Sequence, residues 1–253
     1  MKEDNAPLRG AMLRDEETRR YARQILLFGE DGQEKLKRCS VFIAGAGGLG
    51  SAISIYMAAA GFGRIRIVDC DVVELSNLNR QILHSQADLG RYKALSANEA
   101  MKGINQEIEV EAVVEKISAE NIDELLRGCD MIMDGMDSFP SRYLLNRAAL
   151  EKGIPLFHGA INGYQGQATT IIPGRTACLS CLFPRAPPPA VAPALGSTCG
   201  FIGSIEVTEA AKYVTGKGRL LENRLLLWDG LECSLEEMAY GSRESCRDCG
   251  SRR

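Results

Sequence analysis

Val41-Phe42-Ile43-Ala44-Gly45-Ala46-Gly47-Gly48-Leu49-Gly50-Ser51 decides how this chain folds. A short apolar run with strand character ends in Gly45, Gly47 and Gly50 at G-x-G-x-x-G spacing, with Gly48 among them. A helical pattern follows over 51–60. A turn free of Cβ atoms lets backbone N–H groups approach a phosphate, and the helix behind it favours negative charge at its N-terminus. A second strand pattern, Arg64-Ile65-Arg66-Ile67-Val68-Asp69, ends in an acid about twenty residues after the turn, where a ribose hydroxyl would be held. On these features alone the reading is a nucleotide site, by default the dinucleotide site of a nicotinamide or flavin oxidoreductase.

The 253 residues suffice for one large domain or two small ones. A net charge of −3 and a pI of about 5.6 argue against a nucleic-acid-binding surface. No apolar run is long enough to span a bilayer and no apolar segment opens the chain, so a cytoplasmic protein with no membrane contact is expected. Nine cysteines are many for such a protein, and disulfides are not expected in that compartment. Their spacing therefore carries the information.

Residues 1–13 have mixed charge, a proline and no apolar period, and a flexible N-terminus over 1–14 is expected. A helix from about Asp15 puts Tyr21, Ile25 and Phe28 on one face, with Arg20 and Arg23 one turn apart; on the residues alone this is a solvated helix face. A short helix over 32–37 leads into the first strand. After the second strand, Asp69-Cys70-Asp71 and Glu74-Leu75-Ser76-Asn77-Leu78-Asn79-Arg80-Gln81 carry more polarity than a plain dinucleotide site needs. Either this is ordinary loop polarity, or Arg80 is a fixed cation on the oxygens of a triphosphate with Asp69 on its ribose. A helix over 88–101 places Lys93 in its first turn, where a cation opposes the helix dipole unless a phosphate compensates. Strands are expected over 107–113 and 129–134, the latter followed by Gly135-Met136-Asp137-Ser138. Ligands of doubly wound sheets sit beyond the carboxyl ends of the strands, where Asp137 is placed to hold Mg²⁺ against phosphates. A helix over 140–152 has Arg142 in its first turn, and strands follow over 155–160 and 165–172. His158, at a strand end, reads as structural.

Cys178-Leu179-Ser180-Cys181 and Cys246-Arg247-Asp248-Cys249 are paired C-x-x-C motifs, the donor set that tetrahedral zinc prefers. Four protein ligands leave no open position, so such a site is structural and would tie the C-terminal tail to the body. The alternative is one redox C-x-x-C beside a coincidence. Cys39, Cys70, Cys129, Cys199 and Cys233 read as small core residues. Arg185-Ala186-Pro187-Pro188-Pro189-Ala190-Val191-Ala192-Pro193 cannot be helix or central strand and reads as an exposed crossover, part of a loop near 184–199. A helix over 200–215 and two late strands over 225–228 and 235–239 complete the pattern. The expected fold is α/β: a Rossmann-like, doubly wound, mostly parallel sheet with an antiparallel C-terminal extension and a structural zinc site. Residues 15–253 form one domain in this reading, with a nucleotide-binding half over 15–160 and a second half over 161–253.

The series R-Y-A-R-Q-I-L-L from Arg20, D-G-Q-E-K-L-K from Asp31, the G-A-G-G-L-G turn, D-C-D from Asp69, L-S-N-L-N-R-Q from Leu75, G-R-Y-K from Gly90, D-G-M-D from Asp134, C-L-S-C, G-F-I-G-S from Gly200 and the closing C-R-D-C resembles the ThiF/MoeB/HesA family. These are the bacterial relatives of ubiquitin-activating enzymes, and the pattern comes nearest to the adenylyltransferases of molybdopterin and thiamin sulfur carriers. The resemblance implies that MgATP adenylates the C-terminal glycine carboxylate of a small ubiquitin-like sulfur carrier ending in Gly-Gly, with release of pyrophosphate. It implies that the glycine turn, Asp69, Asp71 and Asn77 bind the nucleotide, that Arg80 and Lys93 contact the phosphates, and that Asp137 holds Mg²⁺. Arg23 would reach the ATP of a neighbouring subunit, which implies a homodimer. Cys178, Cys181, Cys246 and Cys249 match the family's zinc ligands.

Two departures from the family stand in this chain. Many relatives carry a cysteine in the crossover loop, and the stretch from Pro187 to Pro193 has none, so adenylation without a covalent cysteine step is expected. The usual Asn after the metal aspartate is Ser138. The sequence ends at its second C-x-x-C, so the sulfur donor is expected to be a separate protein. The alternatives are an NAD(P)-dependent oxidoreductase, which leaves Arg23, Arg80, Lys93, Asp137 and the cysteine pairs unexplained, a binding module with a vestigial nucleotide site, and a relative activating the carboxylate of a tRNA base or a peptide.

Overall fold

Ser40–Ala44 (β1) is buried at every position, as a central strand covered on both faces must be. Its residues divide between two apolar layers: Val41 and Ile43 face one, Phe42 and Ala44 the other. In the computed structural model, which describes residues 12–186 and 193–250, β1 lies inside an eight-stranded sheet of order β3-β2-β1-β4-β5-β6-β7-β8. Arg64–Val68 (β2), Glu109–Val113 (β3), Met131–Asp134 (β4) and Leu156–Asn162 (β5) run parallel with it. Gln165–Ile171 (β6), Arg224–Asp229 (β7) and Ser234–Ala239 (β8) continue the sheet in antiparallel fashion. The expected mixed sheet is therefore present, and the strand order reverses between β1 and β4, where ligands of such sheets bind.

Asp15–Arg20 (α1) and Ala22–Arg38 (α2) precede β1, and α2 is broken at Gly29. Gly48–Ala60 (α3), Lys93–Ile104 (α4) and, late in the chain, Gly196–Thr215 (α8) share one apolar layer. Ile122–Leu125 (α5), Phe139–Lys152 (α6) and Leu179–Leu182 (α7) share the other. Among the described residues no helix is long and apolar enough to cross a membrane.

Several boundaries move, each for a physical reason. The helix after the glycine turn begins at Gly48, not Ser51, because Gly48 and Gly50 occupy its first turn. Asp88 closes a 3-10 turn, Gln86–Asp88, and Lys93 itself opens α4. The helix expected over 200–215 begins at Gly196, so Cys199 lies inside its first turn. Arg14, the last residue of the N-terminal stretch expected to be flexible, has partners: its backbone N–H and guanidinium donate to Glu17, and it pairs with Glu107. Residues 1–11, and 187–192 of the proline-rich crossover, lie outside the described residues. Cys70 and Cys233 are exposed and Cys129 is half-buried, against the core role expected for all five unpaired cysteines; only Cys39 and Cys199 are buried. The helices α5 and α7, one turn each, are too short to leave an apolar period in the sequence.

Candidate nucleotide site and cysteine cluster

The turn after β1 is built on absent side chains. Gly45 has φ +91°, and a Cβ on Gly50 would stand 2.0 Å from the Gly45 carbonyl oxygen, so both positions require glycine. Gly47 caps α3 without any side-chain hydrogen bond. Among the described residues no side chain caps the opening N–H groups of this helix, and the positive end of the helix dipole lies behind them. Asp69 lies against the turn: one carboxylate oxygen accepts from the Ala46 N–H at 2.8 Å, the other from the Asp71 N–H at 2.8 Å.

Cations gather beside this turn. Lys93 is buried at the start of α4, and its ammonium pairs with the exposed Asp71 at 3.0 Å. The Arg80 guanidinium donates to the Ser76 carbonyl at 2.9 Å and to the Asn79 amide oxygen at 3.0 Å. Asn77 serves its own 3-10 turn, Leu75–Asn77, by accepting from the Glu74 N–H at 3.2 Å. The start of α8 packs against the same place: Cys199 lies over Gly48, and Gly196 abuts Asn79 and Arg80. Burial pushes the Cys199 thiol up, with Arg80 acting in the opposite sense.

The turn after β4 touches the first one, Gly135 lying against the Ala44 and Gly45 carbonyls. Asp137 is exposed on it. Buried charge holds the backbone around Asp137. Asp134 accepts from the Met136 N–H at 3.1 Å and from His158 Nδ1–H at 2.7 Å, and Arg142 donates to the Met136 carbonyl at 2.9 Å. The Arg142 Nε stands 4.0 Å from the Asp134 carboxylate. Glu206, on α8, is buried, and among the described residues neither of its oxygens has a well-formed hydrogen bond; a Cβ on Gly159 would stand 2.1 Å from Oε1. Burial, reinforced by Asp134, raises the Glu206 pKa well above the carboxylate range. Burial likewise lowers His158, which stays neutral as it donates to Asp134. Ser138, where the family usually has Asn, caps α6: its hydroxyl oxygen accepts from the Ser141 N–H at 3.4 Å.

The structure thus brings the glycine turn, Asp69, Asp71, Asn77, Arg80, Lys93 and Asp137 to neighbouring strand ends. It does not bring Arg23, which is exposed on α2 near the exposed Leu26 and Leu27 and, among the described residues, has no hydrogen bond or ion pair. Sequence reasoning missed His84, Asp134 and Glu206; single buried polar residues on a loop, at a strand end and on a helix leave no periodicity to find them by.

The four cysteines converge far along the chain from this site. Their sulfurs all lie within 4.8 Å of one another, with Cys178–Cys246 at 3.6 Å, Cys181–Cys249 at 3.4 Å and Cys178–Cys181 at 4.0 Å. Zn–S bonds of about 2.3 Å in a tetrahedron require S···S separations of roughly 3.8 Å, so the set fits zinc. The two motifs are also joined directly, since Asp248 accepts from Ser180 and from Asn146 of α6.

Residues 21–249 match the family model described as the ThiF family. A SAMP-activating enzyme E1 of Haloferax volcanii is 41% identical over 239 residues, 91% of this chain and 88% of that protein. A sulfur carrier protein adenylyltransferase of Thermus thermophilus is 41% identical over 248 residues, 93% of this chain and 92% of that protein. A crystal structure of E. coli MccB has the same fold, with a TM-score of 0.84 at 21% identity over 95% of this chain and 75% of that one. On sequence, motif order and fold alike, the chain belongs to the ThiF family.

Proposed function

We propose that the chain is an ATP-dependent adenylyltransferase that activates the C-terminal glycine carboxylate of a ubiquitin-like sulfur carrier, forming an acyl-adenylate and pyrophosphate. The observation that carries the reading is the contact between two different strand-end turns, one offering unclaimed helix-start N–H groups and the other an exposed carboxylate, in a chain with two relatives named for carrier activation.

The carboxylate of the carrier is already a nucleophile and needs no general base. The barrier lies in bringing two anions together and in stabilising charge on the phosphorus oxygens and the leaving pyrophosphate. The opening N–H groups of α3 would cradle phosphate, Arg80 and Lys93 would neutralise it, and Asp69 would orient the ribose. Asp71 holds the Lys93 ammonium in place ahead of the phosphate. Asp137 would hold Mg²⁺, which when bound neutralises phosphate charge. Arg23 completes the site from a second copy of the chain in a cytoplasmic homodimer. Residues 15–253 act as one adenylation domain, and zinc on the four cysteines ties its C-terminal end down. Cys199 takes no covalent part: it is buried, packed on Gly48, and its thiol is pushed up.

Intact-mass analysis of Gly-Gly carriers incubated with the chain and MgATP tests this. An AMP adduct on the carrier that is lost when the final glycine is removed is expected. No adduct on any carrier, together with tight NAD(P) binding, would overturn the reading in favour of the oxidoreductase. A thioester or acyl-disulfide trapped on Cys199 would overturn the absence of a covalent step.

A further inference from the structure

Both ring nitrogens of His84 are committed. Nε2 lies 3.0 Å from the Ala46 carbonyl oxygen and Nδ1 lies 2.8 Å from the Ser96 hydroxyl, and all three residues are buried. A carbonyl oxygen only accepts, so Nε2 carries the proton. Burial, helped by Lys93 and opposed by the Ala46 carbonyl, Asp88 and Asp69, holds the ring below the ordinary histidine range, so Nδ1 is bare and lies against the Ser96 hydroxyl, which Asp88 also engages.

Ala46 is gripped at its other end as well, because its N–H donates to Asp69 at 2.8 Å. Side chains therefore fix the peptide planes on both sides of Ala46. The plane joining Ala46 to Gly47 is trans, so with its carbonyl turned into His84 the Gly47 N–H faces away from the ring. Ser96 stands three residues along α4 from Lys93, so the two share a helix face. One imidazole thus sets the orientation of the glycine turn and the seat of the phosphate-side lysine relative to that turn.

We infer that His84, oriented by Ser96, is a positioning residue for the anion site, holding the Ala46–Gly47 peptide so that the following N–H groups of α3 stay free for the phosphates of a magnesium nucleotide. This rests on the nucleotide reading proposed above. His84 touches no reacting atom; it acts through the turn.

The test measures equilibrium MgATP binding and carrier binding for the wild-type chain and for His84→Ala, His84→Gln and Ser96→Ala, with thermal melts to confirm folding. His84→Ala is expected to weaken MgATP binding about tenfold or more and to leave carrier affinity unchanged. His84→Gln, whose amide N–H₂ can reach the same carbonyl, is expected to recover most of the loss. Ser96→Ala, which keeps the ring but frees its orientation, is expected to weaken MgATP about threefold and decides the matter if His84→Ala does not fold. A folded His84→Ala chain that binds MgATP as tightly as wild type overturns the positioning role alone. Equal losses for MgATP and carrier, or no recovery with Gln, overturn it in favour of a general packing role. A wild-type chain that binds no MgATP overturns the nucleotide reading and this role with it.

Discussion

The turns after β1 and β4 lie against each other, yet they are built by opposite means. The first is shaped by absence: Gly45 and Gly50 admit no Cβ, and the helix behind them starts without a side-chain cap. The second is shaped by buried charge: Asp134, Arg142 and His158 hold the backbone on which Asp137 stands exposed. The difference follows from what each turn presents. A turn that offers N–H groups to an anion must clear its surface, whereas a turn that offers one carboxylate to a cation must be braced from below.

The comparison breaks most readily at Gly50. Gly50→Ala places a Cβ on a backbone carbonyl and is expected to cost about 3 kcal/mol or more, with loss of MgATP binding, in denaturant unfolding and binding measurements. A cost under about 1 kcal/mol would mean that the turn relaxes and does not need its glycines. On the β4 side, Arg142→Met strips the buried Asp134 of its only nearby cationic side chain among the described residues and is expected to cost about 3–5 kcal/mol. Glu206→Gln is expected to stay within about 1 kcal/mol at neutral pH, because burial already keeps this carboxyl protonated. A large loss from Glu206→Gln alone would show instead that an ionised Glu206 braces the turn.

Acid sharpens the same contrast. His84 and His158, one under each turn, are both lowered by burial, so the unfolded chain binds more protons than the folded one below the ordinary histidine value of 6.5. Their contribution is full above that value and declines as pH falls below it toward their folded values. Glu206 has the opposite sign: its raised pKa gives a contribution that is full below the ordinary value of 4.5 and is lost as pH rises toward the folded one. With Glu206 replaced by Gln, unfolding curves from pH 6.5 to pH 5 are therefore expected to show falling stability, and Glu206→Gln is expected to gain on wild type as pH rises. The smallest stability effect is expected at the exposed Arg23, within about 0.5 kcal/mol for Arg23→Ala. If Arg23 acts across a homodimer, dissociating and mixing inactive Arg23→Ala and Asp137→Ala chains should restore about a quarter of wild-type exchange activity, because each mixed dimer keeps one complete site. No recovery on mixing would place Arg23 in its own subunit's site or outside the chemistry.

The β1 turn was legible in the sequence because its reason is local: glycine spacing, a preceding apolar strand and a following helix sit within one short stretch. The strands and their antiparallel extension were legible from apolar runs, and the four cysteines from spacing. The bracing of the β4 turn was not legible, since Asp134, Arg142, His158 and Glu206 come together only through β4–β5 pairing and the packing of α8 on the sheet. His84 was hidden for the same reason, being thirty-eight residues from the carbonyl it holds. The start of α8 was not legible either, because Gly196, Ser197 and Thr198 read as part of the crossover loop whereas they open the helix.

The most direct single measurement is ATP–pyrophosphate exchange by the intact chain in the presence of a Gly-Gly carrier, wild type beside Asp137→Ala. Exchange is expected only with carrier and Mg²⁺, and is expected to fall by about a hundredfold or more in the variant while its melting temperature stays unchanged. Exchange that persists in a folded Asp137→Ala chain would contradict the assignment of the metal to the β4 turn, and no exchange by wild type with any carrier would contradict adenylation itself.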